Sequence, residues 1–187
     1  MQTSASFTVA VTGLGASLVA VALLTVAAPE TSARSRKVSP TEFAGTWKHV
    51  GSMKERRARR RAVDGVVQGL PVVMRGRARR RLAARTTPPR LLKFKATAKR
   101  IVLMDGSQKI TLRFGAKPVQ VKRNGNQGTV KARFKAGRLV VVMKGGGGKV
   151  VTKYKLSRDR KRLRLTIRLK ARPLPTPLVY KATYRRK

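Results

Sequence analysis

The sequence predicts a mainly β domain of the α+β kind: an antiparallel up-and-down meander that closes into a barrel, with two helices inserted after the first strand. Three observations carry this. Beyond Pro89, apolar and polar residues alternate with a period of two in one segment after another, as the pleat of a half-buried strand requires. The segments are joined by short turns rich in Gly, Asn and Asp. Between residues 53 and 85 the apolar period is helical instead. Closing the meander removes its exposed edges; an open sheet packed on the two helices is the alternative.

In chain order, residues 7–28 are apolar or small and uncharged, and Ala27-Ala28 and Thr31-Ser32-Ala33 offer small-residue cleavage sites. Residues 1–33 therefore read as an export leader, which places residues 34–187 in the periplasm or outside the cell. The run is also close to the length of a membrane span and is followed by Arg34, Arg36 and Lys37, so an uncleaved anchor is the alternative. Ser39-Pro40-Thr41-Glu42 has the capping-box pattern for a short helical turn. A first strand is expected over residues 43–48. Ser52-Met53-Lys54-Glu55 repeats the pattern and opens a helix with Ala58, Ala62, Val63, Val66, Val67 and Leu70 at helical spacing, ended by Gly69 and Pro71. A second helix carries Val73, Met74, Ala78 and Leu82 on one face and stops at Thr86-Thr87-Pro88-Pro89. Nine strands follow, near 91–97, 99–104, 108–114, 117–122, 128–134, 138–144, 149–157, 161–170 and 177–185. Asp105-Gly106, Asn124-Gly125-Asn126, Ala136-Gly137, the Gly145–Gly148 run and Ser157–Arg160 supply turns.

The 187 residues suffice for one domain with its own core. Lys and Arg number 46 against 6 Asp and Glu, a formal charge of +40, so ion pairing within the chain cannot neutralise the surface. A GC-rich coding sequence would supply arginines without selection for binding, but it does not favour the lysines found at outward strand positions. There is no cysteine, which excludes disulfides, thiol catalysis and Cys-ligated metal.

Gly45-Thr46-Trp47 opens the first strand after a short capped turn, and Tyr184-Arg185 ends the last. This resembles the lipocalin and wider calycin pattern, in which a Gly-x-Trp begins the barrel and a basic residue from its far end packs across the indole. The resemblance covers residues 39–187. It implies that Trp47 and Arg185 close the bottom of a lipocalin-like barrel and that the interior carries a small apolar ligand. The helical insertion departs from the family, which has an open loop there, and would either lid the mouth or plug it. The layout also resembles uncharacterised exported bacterial proteins with a Gly-Thr-Trp first strand and a helical pair.

No catalytic, metal or cofactor site is expected. His49 is the single histidine and reads as a polar strand-end residue. Glu42 and Glu55 read as capping residues, Asp105 as a turn residue, and Asp64 as a partner for Arg60 or Arg61 along its helix. Two binding capacities remain. Outward cations two residues apart on a strand lie ~7 Å apart, and neighbouring strands ~4.8 Å, both within the Debye length of ~8 Å. An anionic polymer or envelope surface would relieve this repulsion, whether lipopolysaccharide, acidic polysaccharide or extracellular nucleic acid. The candidate contacts are Lys93, Lys95, Lys109, Arg113, Lys131, Arg133, Lys135, Lys153, Lys155, Arg164, Arg168 and Lys170. The second capacity is a small apolar ligand inside the barrel, lined by Phe94, Leu112, Phe134, Val141, Tyr154, Leu165, Ile167 and Tyr180. The sequence leaves open whether that interior is full or hollow. The leading expectation is a non-enzymatic, exported polyanion binder, with the carrier of a hydrophobic ligand as the alternative.

Overall fold

The computed structural model describes residues 38–105, 108–123 and 126–187; the expected leader over residues 1–33 lies outside them. After a 3-10 turn at Pro40–Phe43 come β1 (Gly45–His49), α1 (Met53–Gln68) and α2 (Val72–Thr86). The rest of the chain is β2 (Leu91–Ala96), β3 (Arg100–Asp105), β4 (Gln108–Arg113), β5 (Val119–Arg123), β6 (Asn126–Lys135), β7 (Arg138–Gly145), β8 (Gly148–Leu156), β9 (Arg162–Ala171) and β10 (Leu178–Arg186). All pairings between strands are antiparallel, in the order β4-β3-β2-β1-β10-β9-β8-β7-β6-β5. Sequence neighbours pair except for β4 and β5, and β1 also joins β10, which brings the first and last strands together. Among the described residues β4 and β5 form no ladder, and an isolated bridge from Phe114, just after β4, to Ala132 of β6 spans the gap. The result is a near-closed ten-strand barrel with the helical pair after its first strand.

The turns follow from backbone chemistry. Ala136 and Gly137 both have positive φ, 50° and 67°, the two-residue hairpin conformation whose twist suits paired strands. The β7–β8 tip places Gly145, Gly146 and Gly147 at positive φ, where a side chain would be strained. A Cβ on Gly145 would also meet the Gln127 carbonyl oxygen at 2.7 Å.

Two apolar clusters hold the molecule. The larger fills one end of the barrel with Phe43, Trp47, Phe94, Ile101, Leu112, Ala132, Leu139 and Leu163, all nearly inaccessible to solvent. The smaller seats Val63, Val66 and Val67 of α1 and Leu82 of α2 on Leu178 of β10. α1 is therefore the helix that anchors the pair.

Several local expectations need correction. Phe43 belongs to the 3-10 turn and not to the first strand. Ser39 makes no side-chain cap; its hydroxyl bonds Thr41 Oγ1 at 2.6 Å, and Glu42 pairs with Arg160 at 3.0 Å. At α1 only half of the capping box forms: Ser52 Oγ accepts from the Glu55 amide, while the Glu55 carboxylate reaches His49 Nε2 at 3.1 Å. Asp64 pairs with Arg79 of α2 at 2.8 Å and not with Arg60 or Arg61, because a neighbouring helix brings its guanidinium closer than the same helix does. On α2, Leu82 is buried, but Val73 and Met74 are exposed, since they border an open space and not packed core.

Candidate functional site

The barrel's two ends differ. The closed end is built around Gly45-Thr46-Trp47. Trp47 is fully buried, and its Nε1 donates to the Phe43 carbonyl at 3.0 Å. Arg186 lies over the indole, with its guanidinium carbon 4.5 Å from the ring centroid. It also donates through Nη1 to Ala44 O at 3.0 Å and through Nη2 to Glu42 O at 2.6 Å. The sequence pattern assigns the cation over Trp47 to Arg185. In the structure that role falls to Arg186, because Arg186 is the register partner of Trp47, whereas Arg185 pairs with Lys48 and Arg162. Gly45 sits at φ +126°, and a Cβ there would come within 3.2 Å of Arg186 Nη1. Glycine is therefore required both by the backbone and by the cation that covers it.

The other end is hollow. A cavity of about 1070 Å³ extends from Leu92, Tyr154 and Tyr184 in mid-barrel to the inner side of α2 and the β7–β8 tip. That is just above the usual range of about 300–1,000 Å³ for ligand sites. Five of the eight expected lining residues are on its wall: Val141, Tyr154, Leu165, Ile167 and Tyr180. Phe94, Leu112 and Phe134 are not. They point inward, but lower in the barrel, where they are packing. Phe94 stands edge-on to Tyr154 with centroids 5.5 Å apart, Phe134 edge-on to Phe43 at 6.0 Å, and Leu112 is almost wholly buried. Alternation assigns a residue to the inner face but not to a height along the axis.

Polar groups on this wall are few. Tyr184 Oη donates to the Pro89 carbonyl at 3.0 Å. Burial pushes the Tyr180 phenol above its ordinary pKa, and the charge of Arg59 opposes that shift. α2 contributes Met74, Ala78 and Leu82 to the lining, and beside them Arg77, Arg81 and Arg85. The helical pair therefore acts as a lid over a hollow interior rather than a plug within it.

On the outer face, all twelve candidate cations are exposed: Lys93, Lys95, Lys109, Arg113, Lys131, Arg133, Lys135, Lys153, Lys155, Arg164, Arg168 and Lys170. The ladder registers place some of them in rows across strands. Lys135, Arg138, Lys155 and Arg164 are successive partners over β6, β7, β8 and β9. Lys144, Lys149 and Lys170 form a second row. The outer face is not uniformly cationic: Val140 and Val142 of β7 face outward. Val140 is only 7% exposed because Arg133 and Lys153 flank it and their aliphatic stems cover it.

No protein-family model matches the chain, and neither does any curated protein sequence. Solved structures do match in fold. Lipid binding protein 8 of Caenorhabditis elegans is 16% identical, with 80% of this chain and 99% of that chain covered and a TM-score of 0.50. A secretory abundant heat soluble protein from Ramazzottius varieornatus is 12% identical, with 81% and 99% covered and a TM-score of 0.51. Secretory abundant heat soluble protein 4 from the same organism is 11% identical, with 80% and 97% covered and a TM-score of 0.50. The chain thus shares with these proteins the fold of a near-closed, ten-strand antiparallel barrel, with a helical pair after its first strand.

Proposed function

We propose that the protein is a non-enzymatic carrier of a small hydrophobic molecule, held in the open half of the barrel beneath α2. The observation that carries this reading is the cavity of about 1070 Å³ walled by Leu92, Val141, Leu165, Ile167 and Leu169. A wall of that chemistry takes an apolar chain at ~0.8 kcal/mol per buried methylene. The name of lipid binding protein 8, which shares the fold, supports the same reading. Binding of a homologous series of dansyl-labelled alkyl chains, followed by probe fluorescence, tests it. Affinity should rise about fourfold per added methylene until the cavity is full. Thr152→Trp, which places an indole in the cavity, should weaken binding of the longest chains most while leaving the melting temperature nearly unchanged. Binding that is independent of chain length, or unaffected by Thr152→Trp, would refute the carrier. Trp47 is a poor reporter, since it belongs to the closed end and does not line the cavity.

A second reading uses the other face of the same strands. The row Lys135-Arg138-Lys155-Arg164 spans four strands, about 14 Å at ~4.8 Å per strand, with like charges directly opposite. That arrangement favours an acidic polymer laid across the strands. The two readings are compatible because they use opposite faces.

A further inference from the structure

The outer faces of β6, β7, β8, β9, β10 and β1 carry cations in register, and the registers join them into a belt. Lys135, Arg138, Lys155 and Arg164 are partners in turn across β6 to β9. Two residues before Arg164, on the same strand and face, Arg162 pairs with Arg185 of β10, which pairs in turn with Lys48 of β1. All seven side chains are exposed. We propose that this belt binds a flexible, linear acidic polysaccharide with a carboxylate on each sugar, a polyuronate, wound around the outside of the barrel. The inference rests on the polymer reading above and adds the polymer's class and its path.

Four features of the molecule lead there. The first is repulsion that the chain itself does not relieve. Like charges stand directly opposite one another at every step of the belt, an arrangement that destabilises a sheet. β1 and β6 to β10 contain no Asp or Glu, and among the described residues no ion pair engages a belt side chain. The acid nearest in sequence, Asp159 of the β8–β9 turn, is bonded to Ser157 Oγ and to the Lys161 amide. The second is curvature. The belt crosses six adjacent strands of a ten-strand barrel, so it turns around more than half of the circumference. A DNA duplex, stiff over ~50 nm, cannot follow that path and would touch only a few of these cations at once. The third is the chemistry of the face. Every described Phe, Tyr and Trp belongs to the interior core or packs against it, so the bases of a flexible single strand would find no ring to stack on. A sugar chain has no bases to house, and its hydroxyls stay in water. The fourth is period. Neighbouring strands lie ~4.8 Å apart, close to the length of one sugar in an extended chain, so successive carboxylates meet successive strands. The guanidinium forks of Arg138, Arg162, Arg164 and Arg185 each suit a carboxylate held by two parallel hydrogen bonds.

The test uses the full chain and end-labelled oligogalacturonates, followed by fluorescence anisotropy at fixed ionic strength. Affinity should climb with oligomer length up to about six sugars, one for each strand crossed, and rise only slowly beyond that. At equal charge, galacturonate should bind about tenfold more tightly than oligo-dT or a DNA duplex. In K135Q/K155Q/R164Q/R185Q that preference should vanish. K93Q/K95Q/K109Q/R113Q removes the same charge from exposed positions on β2 and β4 and should keep it. The length series and the ranking of probes need no variant, so they decide the matter even where a variant fails to fold. Either DNA probe binding as tightly as galacturonate, or an affinity that does not grow beyond the dimer, would overturn the proposal. So would a preference that survives the belt substitutions, or one lost equally in the control. Failure of galacturonate and both DNA probes alike to bind would instead overturn the polymer reading itself.

Discussion

At the residue scale, the closed end depends on a few side chains whose geometry leaves no slack. Gly45 combines a φ reserved for glycine with a guanidinium packed against its missing Cβ. Gly45→Ala should therefore lower stability by about 1–3 kcal/mol in denaturant unfolding, from backbone strain and displacement of Arg186. Arg185→Ala should cost far less, because that side chain is exposed and does not lie over the indole. Tyr180 gives a pH prediction. Burial raises its folded pKa above the unfolded value near 10, so the folded state keeps the proton that the unfolded chain releases. The associated stability is fully present below about pH 10 and is lost as pH climbs through the folded pKa. Tyr180→Phe should remove this part of the alkaline loss, measured as a flatter profile of stability against pH above 10.

At the element scale, the helical pair is held by burial more than by charge. Val67 is fully buried against β10, whereas the Asp64–Arg79 bridge is about half exposed on both sides. Val67→Ala should destabilise by about 2 kcal/mol and Asp64→Asn by less than about 1 kcal/mol, read as shifts in the urea midpoint. The elements are largely legible from the residues. The expected strands match the observed ones to within a few positions, because period-two alternation and the Ala136-Gly137 and Gly145–Gly148 turns act locally. The capping boxes are less legible. A Ser-x-x-Glu pattern names a candidate acceptor, but Glu42 and Glu55 both leave their caps for partners that only the tertiary fold brings near, Arg160 and His49.

At the scale of the whole molecule, the formal charge is +40, and the strand cations among the described residues lie on the outside of a barrel with an apolar inside. Polymer binding should show the signature of counterion release. With a short DNA duplex as the acidic polymer, log K should fall linearly with log salt concentration. Replacing Lys135, Arg138, Lys155 and Arg164 with Gln should reduce that slope by about one for each phosphate no longer engaged. A slope unchanged in this variant would remove the row from the polymer site. Part of this surface is legible in the residues themselves: a two-residue turn at Ala136-Gly137 already forces Lys135 opposite Arg138. The mouth is not. Arg77, Arg81 and Arg85 share a helical face with exposed as well as inward neighbours, and only the placement of α2 over the barrel decides that they border a cavity.

The division follows from the range of the forces. Alternation of side chains along a strand, the φ demanded by a turn and the spacing of apolar residues on a helix are properties of a few consecutive residues, so the sequence by itself determined the meander, the helical insertion and the cationic exterior. How far along the barrel axis the aromatic residues pack, which of two adjacent arginines meets Trp47, and where the space is left empty depend on residues far apart in the chain. Close packing of Phe43, Phe94, Leu112 and Phe134 fills one end and leaves the other hollow under α2, and the tertiary structure alone decided that.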